Sequence, residues 1–144
     1  MLQLETPALL VMPGPISTNN LFVNVPGRGR IMSRDYKAWK GTAAALLMMQ
    51  KPLPRFALPV ELTFYVGEVG IGQMDSDNTL KAYTDALKVA GVIHDDSRRW
   101  VRRTGAVWVP GMAGCVVRVK PAEINLSASK LIEMVKPKLR EFLA

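Results

Sequence analysis

The sequence predicts a single α/β (α+β) domain, a mixed β-sheet flanked by helices. Three observations predict it. Apolar stretches with β character alternate with stretches of helical spacing, in the order strand, helix, strand, helix, hairpin, helix. The length, 144 residues, is that of one domain. The composition, 49% hydrophobic and 22% charged, can furnish a core without cross-links. Residues 1–144 are therefore expected to form one domain, with a helical extension from about residue 123.

The elements follow in order. Ala8-Leu9-Leu10-Val11-Met12 reads as a short buried strand. Residues 13–30 are rich in Pro, Gly and Asn and predict a long loop or a loose hairpin. Ser33 can cap a helix to about Gln50, in which Tyr36, Trp39 or Lys40, Ala43, Leu46 and Leu47 recur at helical spacing. Pro52 and Pro54 end it. Residues 60–66 form a β-rich apolar run, punctuated afterwards by Gly67, Gly70 and Gly72. Asp77 or Asn78 can cap a second helix with the apolar stripe Leu80, Tyr83, Leu87 and Ala90, and Gly91 suits its left-handed C-terminal cap. Val92-Ile93 is a brief extended piece before a turn at Asp95-Asp96. Two strands are predicted at about 100–109 and 114–120, and the Pro110-Gly111-Met112-Ala113-Gly114 joint has hairpin chemistry. Ser127 can cap a last helix to Ala144, which Pro137 would kink or shorten.

The charge points to a polyanionic partner. Nineteen Lys and Arg against twelve Asp and Glu give a net +7. The distribution is more telling than the sum. Residues 28–55 carry seven cations and one acid; residues 61–96 carry seven acids and two lysines; residues 97–103 carry four arginines and no acid. An acidic block between two basic ones needs a cation before a phosphate can approach it. The single cysteine, Cys115, excludes an internal disulfide framework and fits a reducing, cytoplasmic setting. It reads as a small buried hydrophobe. The start of the chain has neither the basic region nor the apolar run of a secretory signal, and no stretch has the length of a membrane span.

The chemistry concentrates in Asp75-Ser76-Asp77-Asn78, Lys81 and Asp95-Asp96. Carboxylates two residues apart on extended backbone point the same way. If the chain after the helix returns, Asp96 joins Asp75 and Asp77. Three converging carboxylates repel one another unless a divalent cation neutralises them, and hard oxygen ligands suit Mg²⁺ or Mn²⁺. Lys81, one helical turn after Asp77, can grip a phosphate there. The plainer explanation is that these acids cap a helix and make Asx-turns. Four of the chain's six aspartates lie in this segment, however, and a cap needs one. An EF-hand fails, because its sixth position would be Leu80 and its twelfth Ala86. A dinucleotide fingerprint fails, because Asp75 would stand where the third glycine belongs. The only histidine, His94, leaves little material for His-based zinc sites or triads.

Arg98-Arg99-Trp100-Val101-Arg102-Arg103 offers phosphate-matching forks and an aromatic ring that can stack on a base, or else a charged edge strand with Trp100 in the core. Arg28-Gly29-Arg30 lies in a loop that can order on a DNA backbone or stay solvated.

Together these residues resemble the RusA family of Holliday junction resolvases. The match runs through Asp75-x-Asp77-Asn78-x-x-Lys81-Ala82, Asp85-Ala86-Leu87, Ala90-Gly91-Val92 and Asp95-Asp96 without a gap, and includes Asn19-Asn20, Arg28-Gly29-Arg30, Ser33 and Tyr36. It covers roughly residues 8–122. The resemblance implies a mixed α/β fold, a homodimer, and Mg²⁺-dependent paired cleavage of four-way DNA junctions in recombination or repair. It assigns metal binding and catalysis to Asp75, Asp77 and Asp96, and a catalytic or DNA-contacting role to Lys81. Arg28, Arg30, Arg98 and Arg99 are the further DNA-contact candidates. The chain departs from relatives at Gly72-Gln73-Met74, where they can carry a basic run, and beyond about Ala122. Two other functions compete: a nuclease without junction preference, and a non-catalytic DNA-binding module whose acids are caps.

Overall fold

The computed structural model describes residues 7–123 and 126–143. Among the described residues six strands and three α-helices make one α+β domain: β1 (Ala8–Met12), β2 (Phe22–Val25), β3 (Gly29–Met32), α1 (Arg34–Met49), β4 (Val60–Gly67), α2 (Leu80–Val89), β5 (Val101–Val109), β6 (Cys115–Pro121) and α3 (Leu126–Leu143). The main sheet is mixed, in the order β1-β6-β4-β5. β4 runs parallel to β5 and antiparallel to β6. β2 and β3 form a separate hairpin where a loop or loose hairpin is expected.

Alternation along the strands places the core. Leu62, Phe64 and Val66 of β4, Val117 and Val119 of β6, and Leu10 and Met12 of β1 point to one face and are buried. Ala43 and Leu47 of α1 and Tyr83 and Leu87 of α2 cover that face. Phe64 stacks on Tyr83 with centroids 5.1 Å apart, and the Tyr83 hydroxyl donates to Pro13 O at 2.7 Å. Cys115 is buried in this core, which pushes its thiol up to about 12. It is the inert hydrophobe its strand pattern predicts. Ser33 caps α1 as expected, accepting from Tyr36 N at 3.1 Å. After α1, the Gln50 amide accepts from Val11 N at 2.7 Å and donates to Val11 O at 2.8 Å, so one side chain covers part of the β1 edge.

Three expectations are corrected. β5 and β6 are not a hairpin, because β4 lies between them. β4 alternates buried and half-buried residues from Val60 to Val66 and exposes none, so it takes the central place that hides most apolar surface. The β5–β6 loop must then cross the end of β4, and Gly67 N donates to Gly114 O at 2.8 Å there. Val92 and Ile93 are buried in a turn rather than extended. α3 runs through Pro137 to Leu143 and is not shortened there, since an exposed helix can forgo the one hydrogen bond that proline removes. Ser127 lies inside α3, whose capping position falls outside the described residues. No helix among the described residues is long and apolar enough to cross a membrane.

Candidate active site

Asp75 and Asp77 stand on a single 3₁₀ turn, Ser76–Thr79, that leads into α2. The turn packs against the C-terminal end of β5. Trp108 Nε1 donates to Ser76 Oγ at 2.8 Å, and Thr79 Oγ1 donates to Ser76 O at 2.9 Å. The acids do not cap: Asp75 sits at the N-cap position without a side-chain cap bond, and the position preceding α2 belongs to Thr79. Among the described residues no hydrogen bond or ion pair engages either carboxylate, and both residues are exposed. The capping explanation for this pair is therefore removed. Glu68, Ile71, Met74, Asp75 and Trp108 line an open cleft of about 560 Å³ beside the turn.

Lys81 lies in the first turn of α2, about one helical turn past Asp77. Its ammonium lies 3.7 Å from Asp85. The same Asp85 carboxylate accepts from the Tyr36 hydroxyl at 3.5 Å. Burial, and then the Asp85 charge, raise the Tyr36 pKa above its ordinary value, so the hydroxyl stays protonated and donates. From Tyr36 an aromatic path leads outward to Phe22, and the Arg30 guanidinium lies 5.0 Å from the Phe22 ring centroid. Arg28 is exposed in the β2–β3 turn. Through Phe22 and Tyr36 the hairpin residue Arg30 is thus linked to the Asp85–Lys81 pair.

A second acidic centre follows α2. Gly91, with φ of +80°, ends the helix as its sequence position predicts. The chain then turns through Asp95 and Asp96 before β5. Lys88 Nζ bridges them, 3.0 Å from Asp95 and 3.6 Å from Asp96. That ammonium, helped by the Asp96 N–H, holds the Asp95 carboxyl well below the usual carboxylate range, and Lys88 is raised in return. His94 packs against Trp100 with ring centroids 4.1 Å apart, and the Arg99 guanidinium lies 5.7 Å from the same indole. Arg98 is exposed, and its carbonyl accepts from Arg102 at 3.1 Å.

These two centres lie at opposite ends of one strand. Val101 N donates to Ser97 O at 2.8 Å, so Asp96 adjoins the start of β5, whereas Trp108 near its end holds Ser76. Seven residue steps separate Val101 from Trp108, about 20 Å of strand. The ten residues of α2 between the two turns give a consistent span, about 15 Å. Ligands of one small cation lie within about 4 Å of each other. Among the described residues no three His, Cys, Asp or Glu side chains group to hold a metal. The expectation that the chain folds Asp96 back beside Asp75 and Asp77 is therefore corrected, and within one chain the three carboxylates do not fit one ion. The physical reason is the parallel β4–α2–β5 connection. Its helix must traverse the sheet before β5 can start beside β4, which carries Asp96 away.

Three side chains at these centres escaped the sequence reading. Lys88, two helical turns after Lys81, has spacing that hints at a shared face. Trp108 and Thr18 reach the Asp75 turn from distant segments, Thr18 by donating to Asn78 O at 2.8 Å, and no local pattern announces them.

A basic α+β domain with unengaged carboxylates between cationic surfaces has the make-up of an enzyme acting on a nucleic-acid backbone. Comparison with known families specifies which. The family model described as endodeoxyribonuclease RusA matches residues 13–120. The chain belongs to the RusA family of endodeoxyribonucleases. No curated protein matches it.

Proposed function

We propose that this protein is a magnesium-dependent endonuclease, with manganese as an alternative ion, that resolves four-way DNA junctions by paired symmetric cuts as a homodimer. The observation that carries the reading is the split of the acidic residues between the two ends of β5. β5 is an edge strand. A second copy laid antiparallel along that edge about a two-fold axis brings Asp96 of the partner subunit toward Asp75 and Asp77. The Arg98–Arg103 end of one copy then meets the acidic end of the other, which offsets the charges that otherwise blunt an edge strand. Two-fold symmetry makes two such sites, and paired cuts need two.

In this arrangement Asp75 and Asp77 from one chain and Asp96 from the other would supply hard oxygen donors for a divalent ion, which would provide activation of a water and neutralisation of phosphate charge. Lys81 grips the scissile phosphate, with Asp85 orienting its ammonium. Arg28 and Arg30 contact the backbone from the hairpin, and Arg98 and Arg99 from the turn before β5. Lys88 restrains Asp95 and Asp96, so one prediction is that Lys88→Met weakens metal binding without weakening junction binding.

The test is cleavage of a labelled four-way junction beside linear duplex of the same sequence, with Mg²⁺ or EDTA, for wild type, Asp77→Asn and Asp96→Asn. Wild type is expected to nick the junction in symmetric pairs. Each variant should lose well over about 100-fold in rate, more than an outer-shell loss costs, yet still bind the junction. Mixing the two dead variants should restore single nicks, because half of the sites in a mixed dimer then hold a full carboxylate set. No rescue would place all three acids in one chain. Wild-type cleavage by Asp77→Asn would sink the site assignment.

A further inference from the structure

The turn carrying Asp75 and Asp77 is braced from two distant elements. From β5, the Trp108 indole N–H donates to Ser76 Oγ at 2.8 Å. From the 3₁₀ turn after β1, Thr18 Oγ1 donates to Asn78 O at 2.8 Å. The turn is closed internally by Asn78 N donating to Asp75 O at 3.1 Å and by Thr79 Oγ1 donating to Ser76 O. Thr79 is fully buried, while Asp75, Ser76 and Asp77 are exposed. The backbone between the two acids is thus fixed and their carboxylates are left unengaged. Without the braces this stretch is an exposed connection preceded by Gly70 and Gly72, whose ordering carries a backbone-entropy cost.

We propose that Trp108 and Thr18 are positioning residues that preset the spacing of Asp75 and Asp77 before metal and DNA arrive. Neither touches the reacting atoms. Trp108 acts through the Ser76 side chain and Thr18 through the Asn78 carbonyl. The proposal rests on the endonuclease function above. The two braces come from different elements and hold different residues of the turn, Ser76 and Asn78. Partners that orient metal ligands typically account for about 10–100-fold in metal affinity or activity. Their loss should therefore appear as weaker use of metal, with little change in the rate at saturation.

Trp108→Phe keeps the ring and removes the N–H. Ser76→Ala removes the acceptor of the same bond, so the double variant should be no worse than the poorer single one. Thr18→Val removes the other donor at nearly constant shape. The experiment measures single-turnover junction cleavage against Mg²⁺ concentration, junction affinity in EDTA, and amide exchange at Asn78 in EDTA. Trp108→Phe and Thr18→Val should each raise the Mg²⁺ half-saturation about tenfold or more, leave EDTA affinity within about twofold, and speed exchange at Asn78. Unchanged half-saturation together with unchanged exchange overturns the proposal. So does a double variant of Trp108→Phe and Ser76→Ala whose losses multiply. If the wild type cuts no DNA, the endonuclease reading falls, and exchange at Asn78 still decides whether the braces hold the turn.

Discussion

Asp75 and Asp95 are both acids at turns, yet their surroundings differ. Asp95 is held by Lys88 at 3.0 Å, whereas Asp75 is solvent-facing and uncapped. An acid left uncapped beside a helix start forgoes about 1 kcal/mol of available capping stability, so its presence there calls for a use. Cys115 shows the opposite case, a reactive group made inert by burial. Its thiol is pushed from 9.0 up to about 12. Folding therefore disfavours the thiolate. The Cys115 contribution to stability is complete below pH 9.0 and is lost as the pH climbs through about 12. In the native protein Cys115 should resist a thiol reagent at pH 8 and react fully once guanidinium unfolds the chain. Rapid native labelling would show that the β6 core opens.

At the scale of elements, two residues set how segments join. Ser33 Oγ accepts from Tyr36 N and donates to Asn20 O at 2.7 Å, so it caps α1 and ties it to the segment before β2. Ser33→Ala should cost about 1–2 kcal/mol, read as a lower urea midpoint with an unchanged slope. Gly67 lies where the β5–β6 loop crosses the end of β4, and a Cβ there would collide with the Met112 backbone carbonyl. Gly67→Ala should lose about 1–3 kcal/mol, whereas Gly72→Ala, with open space around it, should lose little. Equal losses at both sites would mean that the crossing loop yields. Ser33 is legible from sequence because capping is local. Gly67 is not, because its constraint comes from Met112, in a loop joined to it only by the sheet order.

For the whole molecule, the arrangement of charge matters more than its total. Arg30 connects through Phe22 and Tyr36 to the Lys81–Asp85 pair, and Arg98 and Arg99 directly follow Asp96 before β5. Arg98→Gln with Arg99→Gln should weaken junction and duplex binding alike and reduce the slope of log affinity against log salt by about 2. A slope unchanged from wild type would leave these arginines off the DNA. α3 presents exposed Ile132, Val135 and Leu139 along one helix that also carries Lys136 and Arg140, which extends the domain past the family match at residue 120.

The sequence by itself determined the fold class, most element positions, the inert Cys115 and the acidic and basic segments, because alternation, helical spacing, capping and charge runs are local properties. It also carried the family motif from Asp75 to Asp96 as an uninterrupted string. Only the tertiary structure decided that this string spans the sheet. The motif is continuous in sequence, but α2 and the parallel start of β5 convert its twenty-one residue steps into separation in space. The same long-range pairing inserted β4 between β5 and β6 and delivered Trp108 and Thr18 to the Asp75 turn. Which strands pair depends on how the whole chain hides its apolar faces, and no window of local sequence contains that information.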